Sequence, residues 1–349
     1  MPRAIEFAQR AVDEGQRVIG CSSLPHDPAR GHYADWAFLP FVTDDGFHDA
    51  LASLIDRENI TAVFTPNPVV WHHLNETLAT HHPNVSLLGG APVDREMSPY
   101  RRAFAFGVDA AAAPLPLAGQ MEGVSPFSAA ELAATFRHVE SLPGMCDHEK
   151  IRALCAVFAS MPKGDVVEIG SWWGKSALLL HRLARLAETG PLLCLDPWTQ
   201  ENLRQGDAKG LVDGTQVSTD EAFEVFCANL APYANGQVNY LRMPADDAAS
   251  LYQADLLVET TAFGSTRYSG RIALLHVDGN HAYEHASSDV RTWAPRLVPG
   301  GWLVVDDYQW PYGDGPRRAG DEYLERVRGA YDCAFVMGSA LFVRMNAAE

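Results

Sequence analysis

The sequence is short of positive charge. It sets 27 Lys and Arg against 44 Asp and Glu, a formal net charge of -17. A general nucleic-acid binder needs a basic face to neutralise phosphates, so that class is excluded. A polybasic membrane patch is excluded on the same ground. Cysteines are few, six in 349 residues, and none forms a CxxC pair. That usage belongs to a reducing compartment and not to a disulfide framework. No apolar run approaches the roughly 20 residues of a membrane span. The longest, Ala110 to Ala118, is cut by Pro114 and Pro116. The opening residues, Met1-Pro2-Arg3-Ala4-Ile5-Glu6, carry no apolar signal segment. The expectation is a cytoplasmic protein with neither nucleic acid nor membrane as partner.

Hydrophobic residues make up 47% and charged residues 20%, which is enough to bury a sizeable core. The length is about two domains' worth. Residues 1–95 alternate short helices and strands, with strands expected at 17–22, 36–38, 61–65 and 85–88 and helices at 4–14, 47–57 and 69–80. This pattern predicts a small α/β unit with a parallel sheet. Residues 96–127 carry Pro99, Pro114, Pro116 and Pro126 and read as a linker. Ser128-Ala-Ala-Glu131 is a capping-box signature that opens a helix, and Asp147 caps another. From Asp165 onward, apolar strands alternate with helices and end in a hairpin around Gly338-Ser339. Residues 128–349 therefore predict a doubly wound, mostly parallel sheet with an antiparallel edge. Two polar stretches, 199–220 and 259–270, are long enough to act as lids or binding loops.

The first motif is Val166-Val-Glu168-Ile-Gly170-Ser171-Trp-Trp-Gly174-Lys-Ser176, at a strand-to-helix turn. Open α/β sheets bind ligands at such turns, and the two glycines let a ligand approach the backbone. A second carboxylate, Asp196, ends the next strand and is followed by Pro197-Trp198. It is placed to bind both hydroxyls of a ribose, and Trp198 either stacks on an adenine or simply packs. The same residues offer a rival reading as a P-loop with a Walker B strand at 303–306. A P-loop, however, needs four residues between its glycines and this turn has three.

The second constellation is His276-Val-Asp278-Gly-Asn-His281, followed by Val304-Val-Asp306-Asp307-Tyr308. Asp278 ends one central strand, and Asp306 with Asp307 ends its neighbour. Carboxylates this close are unfavourable unless a cation neutralises them. Hard oxygen ligands with room for water suit Mg²⁺. The alternative is that Asp306 and Asp307 only cap the following helix. His281 and His285 stand four apart, as a zinc pair would, but no Cys lies nearby in sequence. His72, His73, His81 and His82 surround a surface helix and read as solvated.

At Glu168, Gly170, Gly174 and Asp196 the chain resembles the class I S-adenosylmethionine-dependent methyltransferases. Over roughly residues 145–345 it resembles their metal-dependent O-methyltransferases of the macrocin type, which methylate sugar hydroxyls in macrolide and aminocoumarin biosynthesis. That resemblance implies S-adenosylmethionine held by Glu168, Gly170, Ser171, Gly174, Asp196 and Trp198. It implies Mg²⁺ held by Asp278, Asp306 and Asp307, with Asp278 and His281 as catalytic groups and His281 as the base. The acceptor implied is a small molecule bearing a hydroxyl or vicinal oxygens, such as a sugar, a diol or a catechol. The cephalosporin hydroxylase type shares this scaffold and metal site, so a hydroxylase-like enzyme stays open, as does a cofactor-binding scaffold without methyl transfer. The first 95 residues faintly resemble the small domain that precedes ATP-grasp enzymes, without its Gly-rich first turn. Dimerisation within a homo-oligomer, or acceptor binding, is the role expected of them.

Overall fold

The computed structural model describes residues 2–112, 115, 117, 125–205, 210 and 218–347. It divides into two compact units, one ending at Arg101 and one beginning at Arg102.

The first unit contains α1 (Pro2–Asp13), β1 (Ile19–Ser22), β2 (Asp35–Phe38), α2 (Phe47–Glu58), β3 (Ala62–Phe64), α3 (Pro68–His81), β4 (Ser86–Leu88) and the start of α4 (Pro92–Ala112). The expected elements are present, but the expected single sheet is not. β1 pairs with β2 and β3 with β4, each in parallel, as two separate ribbons. Strands of three or four residues bury little. The core here is built by helices, from Phe47, Leu51, Leu54 and Ile55 of α2 and Leu74 and Leu78 of α3.

The expected linker begins inside a helix. α4 continues through Pro99 to Ala112, although an interior proline forfeits one backbone hydrogen bond and normally breaks a helix. Its second half belongs to the second unit. Phe106 stacks on Phe136 with ring centroids 4.3 Å apart, and a Cβ on Gly107 would lie 2.2 Å from the Ala129 carbonyl oxygen. Residues 113, 114, 116 and 118–124 of the expected linker lie outside the described residues.

The second unit continues with α5 (Ala129–Glu140), α6 (His148–Phe158), β5 (Asp165–Ile169), α7 (Lys175–Leu186), β6 (Leu192–Leu195), α8 (Thr219–Leu230), β7 (Val238–Leu241), α9 (Ala245–Leu251), β8 (Leu256–Thr260), β9 (Gly264–Tyr268), β10 (Ile272–Val277), α10 (Tyr283–Trp293), β11 (Leu297–Val305), α11 (Gly315–Arg326), β12 (Tyr331–Met337) and β13 (Ala340–Met345). The capping box at Ser128 and Glu131 and the Asp147 cap both form. Seven strands make one sheet in the order β12-β13-β11-β10-β5-β6-β7. All neighbours are parallel except at β13, which runs antiparallel to β11 and β12. This is the doubly wound sheet with an antiparallel edge that the sequence predicts.

β5 reads Asp-Val-Val-Glu-Ile and is buried throughout, because helices cover both faces of the sheet. Val166 faces a core with α5, α6, α7 and α8, while Val167 and Ile169 face one with α9, α10 and α11. Trp293 and Trp302 are fully buried in these two cores. The strand order reverses between β5 and β10, the topological switch point at which such sheets bind ligands outside their carboxyl ends.

The stretch 259–270 is not a loop over that edge. It belongs to the antiparallel hairpin β8–β9. The hairpin is tied to the opposite, amino end of the sheet. The Tyr268 hydroxyl donates to the Leu192 carbonyl at 2.7 Å, and the Ser269 and Gly270 amides donate to the Asp165 carboxylate. Of the other expected lid, 199–220, residues 206–209 and 211–217 lie outside the described residues.

Candidate active site at the switch point

The turn after β5 is shaped by close approach. Gly170 has φ +83°, and a Cβ there would lie 2.0 Å from the Asp278 carbonyl oxygen. Only glycine lets the ends of β5 and β10 come this near. Gly174 has φ +85°, and a Cβ would meet Leu230 at 2.5 Å. Trp172, Trp198 and Asp307, at the ends of β5, β6 and β11, also have positive φ. Non-glycine residues seldom adopt that conformation, and it clusters at functional sites.

Asp196 gathers this turn. One carboxylate oxygen accepts from the Ser171 and Trp172 amides at 3.0 Å each, and the other from the Trp198 amide at 2.7 Å. Burial pushes its pKa up, against the pull of these backbone donors. Glu168, fully buried, accepts from the Ser171 hydroxyl at 2.6 Å. Trp198 differs from expectation. Its ring is 2% exposed and packs against Phe223, Phe226 and Tyr240, while its indole N–H donates to the Trp172 carbonyl. The ring is core and offers no face for an adenine to stack on.

The second constellation assembles across three strands. Register puts Glu168 beside His276 on β5 and β10, and His276 beside Val304 on β11. The His276 ring lies 3.5 Å from Glu168 and 3.8 Å from Asp306, with no hydrogen-bond partner at either nitrogen. Two ligand sets of metal-binding size share one residue: His276, Asp278 and Asp306, and Asp278, His281 and Asp307. Asp278 is thus the hinge between the expected partners Asp306 and Asp307. Burial and then the Asp306 charge push the Asp278 carboxyl well up. Asp307 is pushed up to about 6 by burial and Asp306. His281 is pushed down to about 4 by burial. Its Nε2 lies 3.2 Å from Asp307, and its Nδ1 is buried without a partner. A neutral ring donating from Nε2 keeps a free lone pair on Nδ1.

These carboxylates follow the Gly170 turn through β10 and β11 in the part of the chain that a known family matches. Residues 167–308 match the family model described as a methyltransferase domain. The second unit carries a methyltransferase domain. The chain is 26% identical over 195 residues, 55% of this chain and 70% of the relative, to the 8-demethyl-8-(2,3-dimethoxy-alpha-L-rhamnosyl)-tetracenomycin-C 4'-O-methyltransferase of Streptomyces olivaceus. Among solved structures it is similar to the O-methyltransferase NovP, at 21% identity over 56% of this chain and 80% of that one, TM-score 0.38. It is also similar to CalS11, a TDP-rhamnose 3'-O-methyltransferase of calicheamicin biosynthesis, at 15% identity over 74% and 96%, TM-score 0.38.

Three features of this candidate site were not read from the sequence. The first is Lys150 of α6, 1% exposed, whose ammonium pairs with Asp306 and lies 3.8 Å from Asp278. Its signal was a lone charge on the face of α6 that buries Ile151, Leu154 and Phe158. Burial alone would strip its proton, but Asp306, Cys146 and Asp278 raise its pKa instead. Burial likewise opposes ionisation of Asp306, and Lys150 and His276 overcome it and hold that carboxyl low. The second is a clasp: the Asn280 side-chain amide donates to the Asn202 and Arg204 carbonyls, and the Gln205 side chain accepts from the His281 amide. It fastens the start of the 199–220 stretch to the turn after β10. The third is Trp310, edge-on to the His281 ring at 4.6 Å, with Tyr312 beyond it. No helix among the described residues is long and apolar enough to cross a membrane.

Proposed function

We propose that the second unit transfers a methyl group from S-adenosylmethionine to a hydroxyl oxygen of a sugar or vicinal diol on a natural product, with a divalent cation held at the carboxyl edge. The observation that carries this reading is that Asp278, beside the Gly170 turn, groups with Asp306 and His276 on one side and with Asp307 and His281 on the other. The rhamnosyl acceptor in the relative's name supports a sugar hydroxyl.

The donor set suits a hard cation. Its atoms are mostly carboxylate oxygens, and Asp306 keeps one buried oxygen, Oδ1, without a hydrogen-bond partner. Asp278, Asp306 and Asp307 would hold Mg²⁺, which supplies charge to bind vicinal oxygens and lower the pKa of the hydroxyl. The rest is the work of this chain. Gly170 and Gly174 admit the cofactor to the turn. Asp196 holds the Ser171 and Trp172 amides in place and accepts from the ribose hydroxyls. Glu168 fixes Ser171. The methyl moves in line from sulfur to oxygen, so positioning supplies most of the rate. His281, neutral and tethered to Asp307, accepts the hydroxyl proton at Nδ1.

The test is mass spectrometry of rhamnosylated polyketides incubated with the protein and S-adenosylmethionine, with and without chelator. The expected result is a gain of one CH₂ unit that chelation abolishes and Mg²⁺ restores. Full transfer after exhaustive chelation returns Asp306 and Asp307 to a capping role. An oxygen gain with no methyl gain favours the hydroxylase reading.

A further inference from the structure

Three histidines of the first unit, His48, His73 and His81, lie against one another. His48 opens α2, His73 lies mid-way along α3, and His81 ends α3. His48 and His73 bring their Nε2 atoms to 3.0 Å. Their ring centroids are 4.9 Å apart and the rings are tilted by 39°. His81 approaches His48 from another side, with centroids 5.1 Å apart. Phe47 packs edge-on against both His48 and His73. The two helices that carry the rings share the core of Leu51, Leu54, Leu74 and Leu78, so the pair is held by packing. Nothing in the methyltransferase reaction uses these residues.

We infer that His48 and His73 form a binding site for a divalent transition-metal ion, with the His81 ring centroid 5.1 Å from that of His48. The spacing of the two nitrogens suits a shared cation. Two nitrogens each about 2.1 Å from one cation and 3.0 Å from each other subtend roughly a right angle at it. Neutral imidazole suits Zn, Cu, Fe and Ni, and a right angle fits the tetragonal coordination of Cu²⁺ or Ni²⁺ better than the tetrahedron of Zn²⁺. Burial, then the neighbouring His73, His81 and His82, push the proton off His48, which leaves a lone pair for a ligand. The chemistry is distinct from that of the carboxylate edge, where hard oxygens favour Mg²⁺.

The experiment is calorimetric titration of the full chain with Ni²⁺ and, separately, with Mg²⁺, in the wild type, His48→Gln, His73→Gln and His72→Gln. His72 is an exposed neighbour on α3 that faces away from the pair. The expected result is a Ni²⁺ affinity that falls at least tenfold in His48→Gln and in His73→Gln and holds in His72→Gln, with Mg²⁺ affinity the same in all four. Circular dichroism checks that each variant folds. Electron paramagnetic resonance of the Cu²⁺-loaded wild type provides a second reading and should show coupling to two or more imidazole nitrogens. Absence of Ni²⁺ binding in the wild type, equal affinity in all three variants, or Cu²⁺ spectra with oxygen ligands alone would overturn the site. Failure of the Mg²⁺ arm alone bears on the proposed reaction and leaves this inference standing.

Discussion

The Lys150 ammonium stands between two carboxylates, 3.8 Å from Asp278 and hydrogen-bonded directly to Asp306. One cation thus serves a cluster of acids that would otherwise repel one another. Removing one member of a buried ion pair leaves an uncompensated charge and costs about 3–5 kcal/mol. Lys150→Met should therefore lower the melting temperature sharply in metal-free buffer. It also frees Asp306 for a divalent cation, so the rise in melting temperature on adding Mg²⁺ should be larger in the variant than in the wild type. Scanning calorimetry with and without Mg²⁺ checks both. A variant as stable as the wild type, or one that gains nothing from Mg²⁺, contradicts the role of Lys150 as the site's own counter-ion.

His281 should act as the base in its neutral form. Burial holds its pKa at about 4, so above that value the ring can accept a proton. His281→Ala should cut turnover by roughly 10²–10⁴-fold and leave S-adenosylmethionine affinity unchanged. His285, one helical turn on, serves as the control. Steady-state rates with saturating cofactor decide the matter: near-normal turnover in His281→Ala assigns the proton to another group or to water.

Asp289 gives a pH dependence that can be read without any substrate. It is buried in α10, and burial with the nearby Asp246 charge raises its carboxyl to about 7, against about 3.9 in an unfolded chain. Between these values the native state binds one proton more than the unfolded state, so this group lowers stability as pH rises, fully by about pH 7. The effect is on the order of a few kcal/mol. Asp289→Asn removes it. The variant should match the wild type near pH 4 and exceed it near pH 8, as measured by denaturant midpoints. An equal difference at both pH values refutes the assignment.

Much of the second unit was legible because its signals are local. The capping box at Ser128, the glycines at 170 and 174, and the largely apolar β5, β6 and β10 each declare themselves within a few residues. Asp278, Asp306 and Asp307 end adjacent apolar strands in the sequence, and Asp278 groups with each of the other two in turn. Lys150 was not legible, since 156 residues separate it from Asp306 and only tertiary packing joins them. Trp198 was left open because a tryptophan beside a ligand-binding Asp looks the same in sequence whether it stacks on a ligand or fills the core, and its burial decides for the core. α4 was misread at Pro99, where the packing of Phe106 and Gly107 against α5 outweighs a local rule. The hairpin β8–β9 was hidden by its polar composition, which follows from its having one face in solvent.

The central claim, that the Gly170–Gly174 turn with Asp196 is an S-adenosylmethionine site, is tested most directly by calorimetry of the wild type and Asp196→Asn with S-adenosylmethionine and with ATP. Charge-assisted hydrogen bonds contribute about 1.5–3 kcal/mol each, and Asp196 also holds the turn through three backbone amides. The account predicts one S-adenosylmethionine per wild-type chain, binding weakened by an order of magnitude or more in Asp196→Asn, and no comparable ATP binding. Unchanged affinity in the variant, or ATP binding more tightly than S-adenosylmethionine, would contradict it.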